Sequence, residues 1–359
     1  VERFITPPLR RAITSVVIFA LLLFSMSCKR EIKTSEVSAK AKPAVKPTYY
    51  CPLDGTRVEE KLSKRPVAVM VENLESIRPQ SGLSQACLVI EALAEGGITR
   101  FMAVYGHHEP REVGPVRSAR THYVAIAKGF DALYAHCGAS TYAEEAIRNW
   151  NVLDFDQFRY PQGFWRVSSR PRPHNLFTDV GRIRRVAAES GLEIEGEMQG
   201  WSFKADLSLA QRPEGQTISI SFSSGAYQVE YTYDRAQNSY LRRNGGQAHL
   251  DGLNSEQLAP KNVIVLFVPT TLVSFGNGLL NVEIVGGGEA LFFQDGKAVE
   301  GTWRKASADD QFRFTYGEGD ELKLNRGQTW IEVVKTDTPV VHQTLDGKGD
   351  ELEDSGNGE

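Results

Sequence analysis

The sequence predicts an α+β protein: a mixed α/β domain followed by an antiparallel β-rich domain, built as a sandwich or a barrel. Three observations carry this expectation. A chain of 359 residues is long for one typical domain and sufficient for two hydrophobic cores. Short β-rich apolar runs alternate with segments of helical spacing up to about residue 200, and beyond Trp201 strand-like segments follow one another with turn dipeptides between them. The hydrophobic share of 41% and charged share of 24% are those of an ordinary globular protein.

Residues 1–27 read as a signal peptide or membrane anchor. Arg3, Arg10 and Arg11 precede an uncharged run, AITSVVIFALLLFSMS, and a small residue, Ser27, stands before Cys28. A small residue before a cysteine at the end of an apolar run makes Cys28 the candidate for lipidation. The run is shorter than the roughly 20 residues usual for a membrane span. Either reading leaves the body outside the cytoplasm, with a membrane as its partner through the N-terminal anchor. Residues 28–48 are rich in Lys, Ala and Pro without apolar periodicity, as in a flexible tether.

The mixed domain spans 49–200. PVAVMVEN is a buried strand, and ACLVIEALA and ITRFMAVYG form a hairpin around Glu95-Gly96-Gly97. SARTHYVAIAKGF has helical spacing, with Ser118 as candidate N-cap. DALYAHCG is another strand, and TYAEEAIRNW and DVGRIRRVAAESG are helices, the second ending at Gly191. The β-rich domain spans 201–340, with TISISFSS, YQVEYTYD, NVIVLFVPT and TWIEVV among its strands. Residues 341–359 read as a disordered acidic tail.

Chemistry concentrates in the mixed domain. Arg78, Gln80 and Ser81 follow the first strand; Arg100 opens the return strand, Arg117 and Arg120 lie at the start of the following helix, and Asn175 sits in a proline-stiffened loop. Guanidinium groups suit carboxylate or phosphate, because the planar fork makes two parallel hydrogen bonds to such anions. The sharper expectation is thus a cleft binding a cell-wall fragment or an envelope protein. Glu91 and Glu95, four apart and so on one strand face, could join His136 or His174 in an envelope hydrolase. A structural or regulatory assembly protein is the third reading, with these arginines paired to carboxylates in a polar layer.

Other signals are weaker. The formal net charge of −4 and the lack of a dense basic surface in either half argue against nucleic acid. Gly286–Ala290, GGGEA, joins two apparent strands with no helix following; it is no phosphate loop, and no cofactor is expected. His107-His108 is a lone pair in a solvated turn, and Cys51, Cys87 and Cys137 show no CxxC spacing, so no metal is expected either. The three thiols read as buried small hydrophobes, or as one disulfide and a free thiol.

RPVAVMVEN, RPQSGLSQACLVIEALAEGGITRFMAVY, GPVRSAR, HNLFT, KNVIVLFVPT, EGTWRK and LNRGQTWIEV together resemble the YerB-like lipoproteins. The two domains of that family carry unknown-function labels. The similarity runs from about Cys51 to Val334. It implies an exported, lipid-anchored protein with a mixed N-terminal and a β-rich C-terminal domain, and it supplies no catalytic residue. One departure is the position after QA, commonly Asp in the family and here Cys87.

Overall fold

The computed structural model describes residues 47–274 and 278–345. The signal or anchor, Cys28 and nearly all of the tether lie outside the described residues, as does 346–359. The described chain enters through two short antiparallel strands, β1 (Tyr49–Tyr50) and β2 (Arg57–Val58). Three longer strands follow: β3 (Val67–Glu72), β4 (Leu88–Leu93) and β5 (Thr99–Tyr105). All three are buried at every position, as befits strands covered on both faces. The β4–β5 hairpin turns at Glu95–Gly97, where Gly96 and Gly97 both take positive φ.

Next come α1 (Thr121–Gly129), β6 (Leu133–His136), α2 (Thr141–Asn149) and β7 (Asp154–Asp156). A hairpin of β8 (Phe164–Arg166) and β9 (Leu176–Thr178) then leads into α3 (Val180–Glu189). Ser140 caps α2 by accepting from the amide of Ala143, and Asp179 caps α3 by accepting from that of Arg182. Ser118 does not cap α1. That helix starts after Arg120 without a side-chain cap, because segment 114–120 runs extended across the strand ends and bridges Ala119 to Ala139.

Eleven described strands form the central sheet. From one edge these are Asp320–Glu321, Arg313–Tyr316, Lys297–Lys305, Gly286–Gln294, Asn262–Val268, Thr329–Lys335, β4, β5, β3, β6 and β7. Thr329–Lys335 pairs in parallel with β4, Ile331 opposite Ile90, so the sheet continues from N-terminal into C-terminal sequence. α1 and α2 pack on one face against Met70, Ile90, Met102 and Val104. α3 packs on the other against the set containing Val69, Val89 and Phe101.

A second, five-stranded antiparallel sheet runs in the order Gln247–Ala248, Ser239–Asn244, Gln228–Asp234, Gly215–Ser221 and Val340–Leu345. Ile218 and Ile220 alternate with more exposed neighbours, and join Val229 and Tyr240 against Val263, Val265, Phe293 and Val334 of the central sheet. The fold is therefore α+β, with three helices on the N-terminal part of the mixed sheet and a sandwich of largely antiparallel strands in the C-terminal part, where Asn262–Val268 and Thr329–Lys335 pair in parallel. Two further details differ from what the sequence predicts. GGGEA lies inside the strand Gly286–Gln294 instead of joining two strands, and a Cβ at Gly288 would stand 2.8 Å from the carbonyl of Phe267 and 2.9 Å from the Trp303 indole nitrogen. The chain also stays in the sheet as far as Leu345, past the anticipated boundary at 340.

Candidate functional site

β3, β6 and β7 run parallel, which brings their carboxyl ends, with Glu72, His136 and Asp156, to one side of the sheet. In open α/β sheets such ends are the usual place for a ligand crevice. Segment 114–120 is threaded between β3 and β6: the amide of Arg117 donates to Met70 and its carbonyl accepts from Cys137. Loop 167–175 folds back from the β8–β9 hairpin, with Arg170 donating to the carbonyls of Ile77 and Pro79.

These segments converge on Glu72. Its carboxylate faces Arg117 Nε at 3.2 Å and His174 Nδ1 at 2.9 Å from both oxygens. Glu72 is nearly sealed, with 6% of its side chain exposed, while Arg117 and His174 keep 23% and 22%. Asn175 holds the same loop by accepting from Arg166 and donating to the carbonyl of Val167.

Glu95, Arg100 and Arg120 form a second group at the hairpin turn. Arg120 grips both oxygens of Glu95 as a fork, and Arg100 reaches Glu95 at 3.3 Å and the carbonyl of Ser118 at 2.8 Å. Burial works against the Glu95 anion, but Arg120 and then Arg100 outweigh it and hold the carboxyl below its ordinary value. A carboxylate so held is a poor proton donor near neutrality.

Glu91 belongs to a third group, wholly inside the protein between the two sheets. It accepts from Asn73, Thr99 and Arg242. Arg242 donates also to Tyr231 and His249, and His249 in turn meets Gln80 at 2.8 Å. Arg78 binds Asn73 and the carbonyl of Ala226, and with Asn244 and His249 lines a cavity of about 280 Å³. Ser81 donates to Glu112, away from all three groups.

His136 stands apart. Its Nδ1 is 2.9 Å from the carbonyl of Gly138, which can only accept, and its Nε2 is 2.7 Å from Asp154. Both ring nitrogens are thus engaged.

The sequence candidates are therefore distributed over separate groups. Arg117 and His174 meet at Glu72; Glu95, Arg100 and Arg120 meet at the turn; Glu91, Gln80 and Arg78 join the inter-sheet network. Glu91 and Glu95 do not act as a pair, because Glu95 falls in the turn after β4 ends. Arg242, Glu332 and His249 were not singled out by sequence, since nothing local marks a β-strand arginine as buried.

A further group lies at the other end of the β4–β5 hairpin, where Cys51, Asp54, Cys87 and His107 bring their ligand atoms within 4.8 Å of one another. Sequence spacing pointed away from a metal because these residues come from three separate segments. The three described cysteines are free thiols; Cys51 and Cys87 are buried and Cys137 is half-buried.

Two family models match the chain: "Protein of unknown function (DUF3048) N-terminal domain" over residues 53–193 and its C-terminal domain over 218–331. "Putative lipoprotein YerB" of Bacillus subtilis (strain 168) is 33% identical over 308 residues, 83% of this chain and 91% of that protein. The chain belongs to the DUF3048 family. The crystal structure of the YerB protein from Bacillus subtilis superposes with a TM-score of 0.74 at 30% identity, covering 82% of this chain and 99% of that one. The likeness extends through both family domains, and the Glu72, Glu95 and Glu91 groups all contain residues within the matched regions.

Proposed function

We propose that this DUF3048 protein works outside the cytoplasm as a lipid-anchored, non-catalytic binding protein that takes an anionic envelope ligand beside Arg117 and His174. The observation that carries the reading is the Glu72 group. Two basic side chains, each about one-fifth exposed, share a single carboxylate that is itself nearly sealed from water. An incoming carboxylate or phosphate would meet the guanidinium fork there without uncovering Glu72.

The anchor rests on the apolar run before Cys28 and on the lipoprotein name of the Bacillus relative. The non-catalytic half is supported by saturation of three of the four acid–base candidates, His174 being the exception. Glu91 is under Arg242, Glu95 is held by two arginines, and both nitrogens of His136 are engaged.

Calorimetric titration of the full chain with carboxylate-bearing cell-wall fragments, at low and high salt, tests this reading. Affinity should fall with salt and fall again in Arg117→Ala, with folding checked by thermal melting. Binding insensitive to both, or turnover of the fragment, would overturn it.

A further inference from the structure

We propose that Cys51, Asp54, Cys87 and His107 form a closed tetrahedral site for a divalent cation of the zinc class, tying the N-terminal turn to the central sheet. The four residues come from three separate segments. Cys51 and Asp54 belong to the turn between β1 and β2, Cys87 immediately precedes β4, and His107 lies just beyond β5. Nothing in the chain's covalent order requires these positions to meet.

The spacings suit such an ion. Cys51 Sγ and Cys87 Sγ are 3.9 Å apart, Cys87 Sγ and His107 Nδ1 3.5 Å, and His107 Nδ1 and Asp54 Oδ2 3.7 Å. A tetrahedron with ordinary zinc bond lengths requires about 3.8 Å between two sulfurs, about 3.6 Å from sulfur to nitrogen, and about 3.4 Å from nitrogen to oxygen. Two sulfurs, one imidazole nitrogen and one carboxylate oxygen match the borderline softness of zinc, and would suit magnesium or calcium poorly.

The surrounding residues aim these atoms inward. Thr56 donates from its amide and its hydroxyl to Asp54 Oδ1, leaving Oδ2 directed at His107. With its proton on Asp54, the Thr56 oxygen accepts from His107 Nε2 at 3.3 Å, which leaves the lone pair of Nδ1 facing Cys87. Orientation of a ligating histidine through its other nitrogen is the usual support of a metal centre. The amide of Gly106 points at Cys87 Sγ at 3.3 Å. A Cβ at Gly106 would stand 3.1 Å from Cys51 Sγ and 3.3 Å from Cys87 Sγ, so the backbone passes close beneath both sulfurs.

Cys51-Pro-Leu-Asp54 has two residues between ligands, the short spacing by which one turn supplies two ligands to one ion. Gly55 follows at φ 67° and donates to the carbonyl of Cys51, and Cys51 donates to Thr56, which closes the turn. Cys51, Asp54 and Cys87 are buried, so the site is closed in the manner of a structural centre. On binding, each thiol releases its proton to solvent. Two thiolates, one carboxylate and a neutral imidazole then surround the dication with a residual charge of −1, while the metal keeps its oxidation state.

The test is metal analysis of the full chain purified without chelator, followed by exchange with cobalt. The expected result is one equivalent of zinc, and on substitution the visible bands of tetrahedral cobalt with sulfur-to-cobalt charge transfer. Cys87→Ser and His107→Ala should lose the metal, while Cys137→Ser retains it. Chelation of the wild type should lower Tm, and added zinc should restore it, which keeps the test independent of whether the variants fold. Failure of the reduced wild type to take up zinc or cobalt, or a Cys51–Cys87 disulfide in the protein isolated without reductant, would overturn the proposal.

Discussion

Glu91 on β4 and Glu332 on the neighbouring parallel strand stand directly opposite one another, and one guanidinium, Arg242 from the second sheet, serves both. All three side chains are completely buried. Arg242 also lies over the Trp330 ring at 4.3 Å. Two carboxylates so close cannot both ionise cheaply. Burial, then the charge of Glu91, pushes the Glu332 carboxyl well above its ordinary value, so it is the neutral member of the pair. Burial works against the Arg242 cation, but Glu91 and the other acidic neighbours outweigh it.

This arrangement predicts unequal costs. Arg242→Met leaves the Glu91 anion without its partner and should cost about 3 to 5 kcal/mol in urea unfolding. Glu332→Gln replaces a neutral acid with a neutral amide and should cost less than about 1 kcal/mol. Equal losses in the two variants would contradict the assignment of charge to Glu91.

His122 on α1 provides a pH dependence. It is fully buried, and burial together with Arg120 and Arg100 pushes it down to about 3 from 6.5. Below pH 6.5 the unfolded chain takes up a proton that the folded chain refuses until about pH 3. The stability is therefore complete above 6.5 and is lost as pH falls from there towards 3. Between pH 7.5 and 4.5 this group should remove about 3 kcal/mol. His122→Phe should lose less stability than wild type over that interval by about this amount; identical losses would show that His122 titrates normally.

The helix caps give a paired comparison. Ser140→Ala removes the acceptor for the Ala143 amide and should cost about 1 kcal/mol. Ser118→Ala, at a position that caps nothing, should stay within about 0.5 kcal/mol. Thermal melts of both variants suffice to check this.

Local pattern and tertiary contact determined different parts of this protein. The wholly apolar character of VAVMVE, the Glu-Gly-Gly turn and the helical spacing of TYAEEAIRNW and DVGRIRRVAAESG are short-range properties, so those elements were legible in the sequence. So were the α+β class and the family resemblance, because both rest on the order of such elements along the chain. Ser118 shows where local reasoning stops: its type and position suit an N-cap, but its segment is drawn into backbone bonds with the ends of β3 and β6.

The groups that carry chemistry lie beyond that limit. Sequence identified Arg117, His174, Glu91 and Glu95 as reactive types, but only the strand order decided that the first two meet at Glu72 and that Glu91 is sealed beneath Arg242. Cys87 and His107 are likewise separated along the chain and adjacent in space because β4 and β5 pair with one another in the central sheet. A side chain's charge, solvent access and partners depend on what the fold places within a few ångströms of it. Residues distant in sequence supply most of those neighbours.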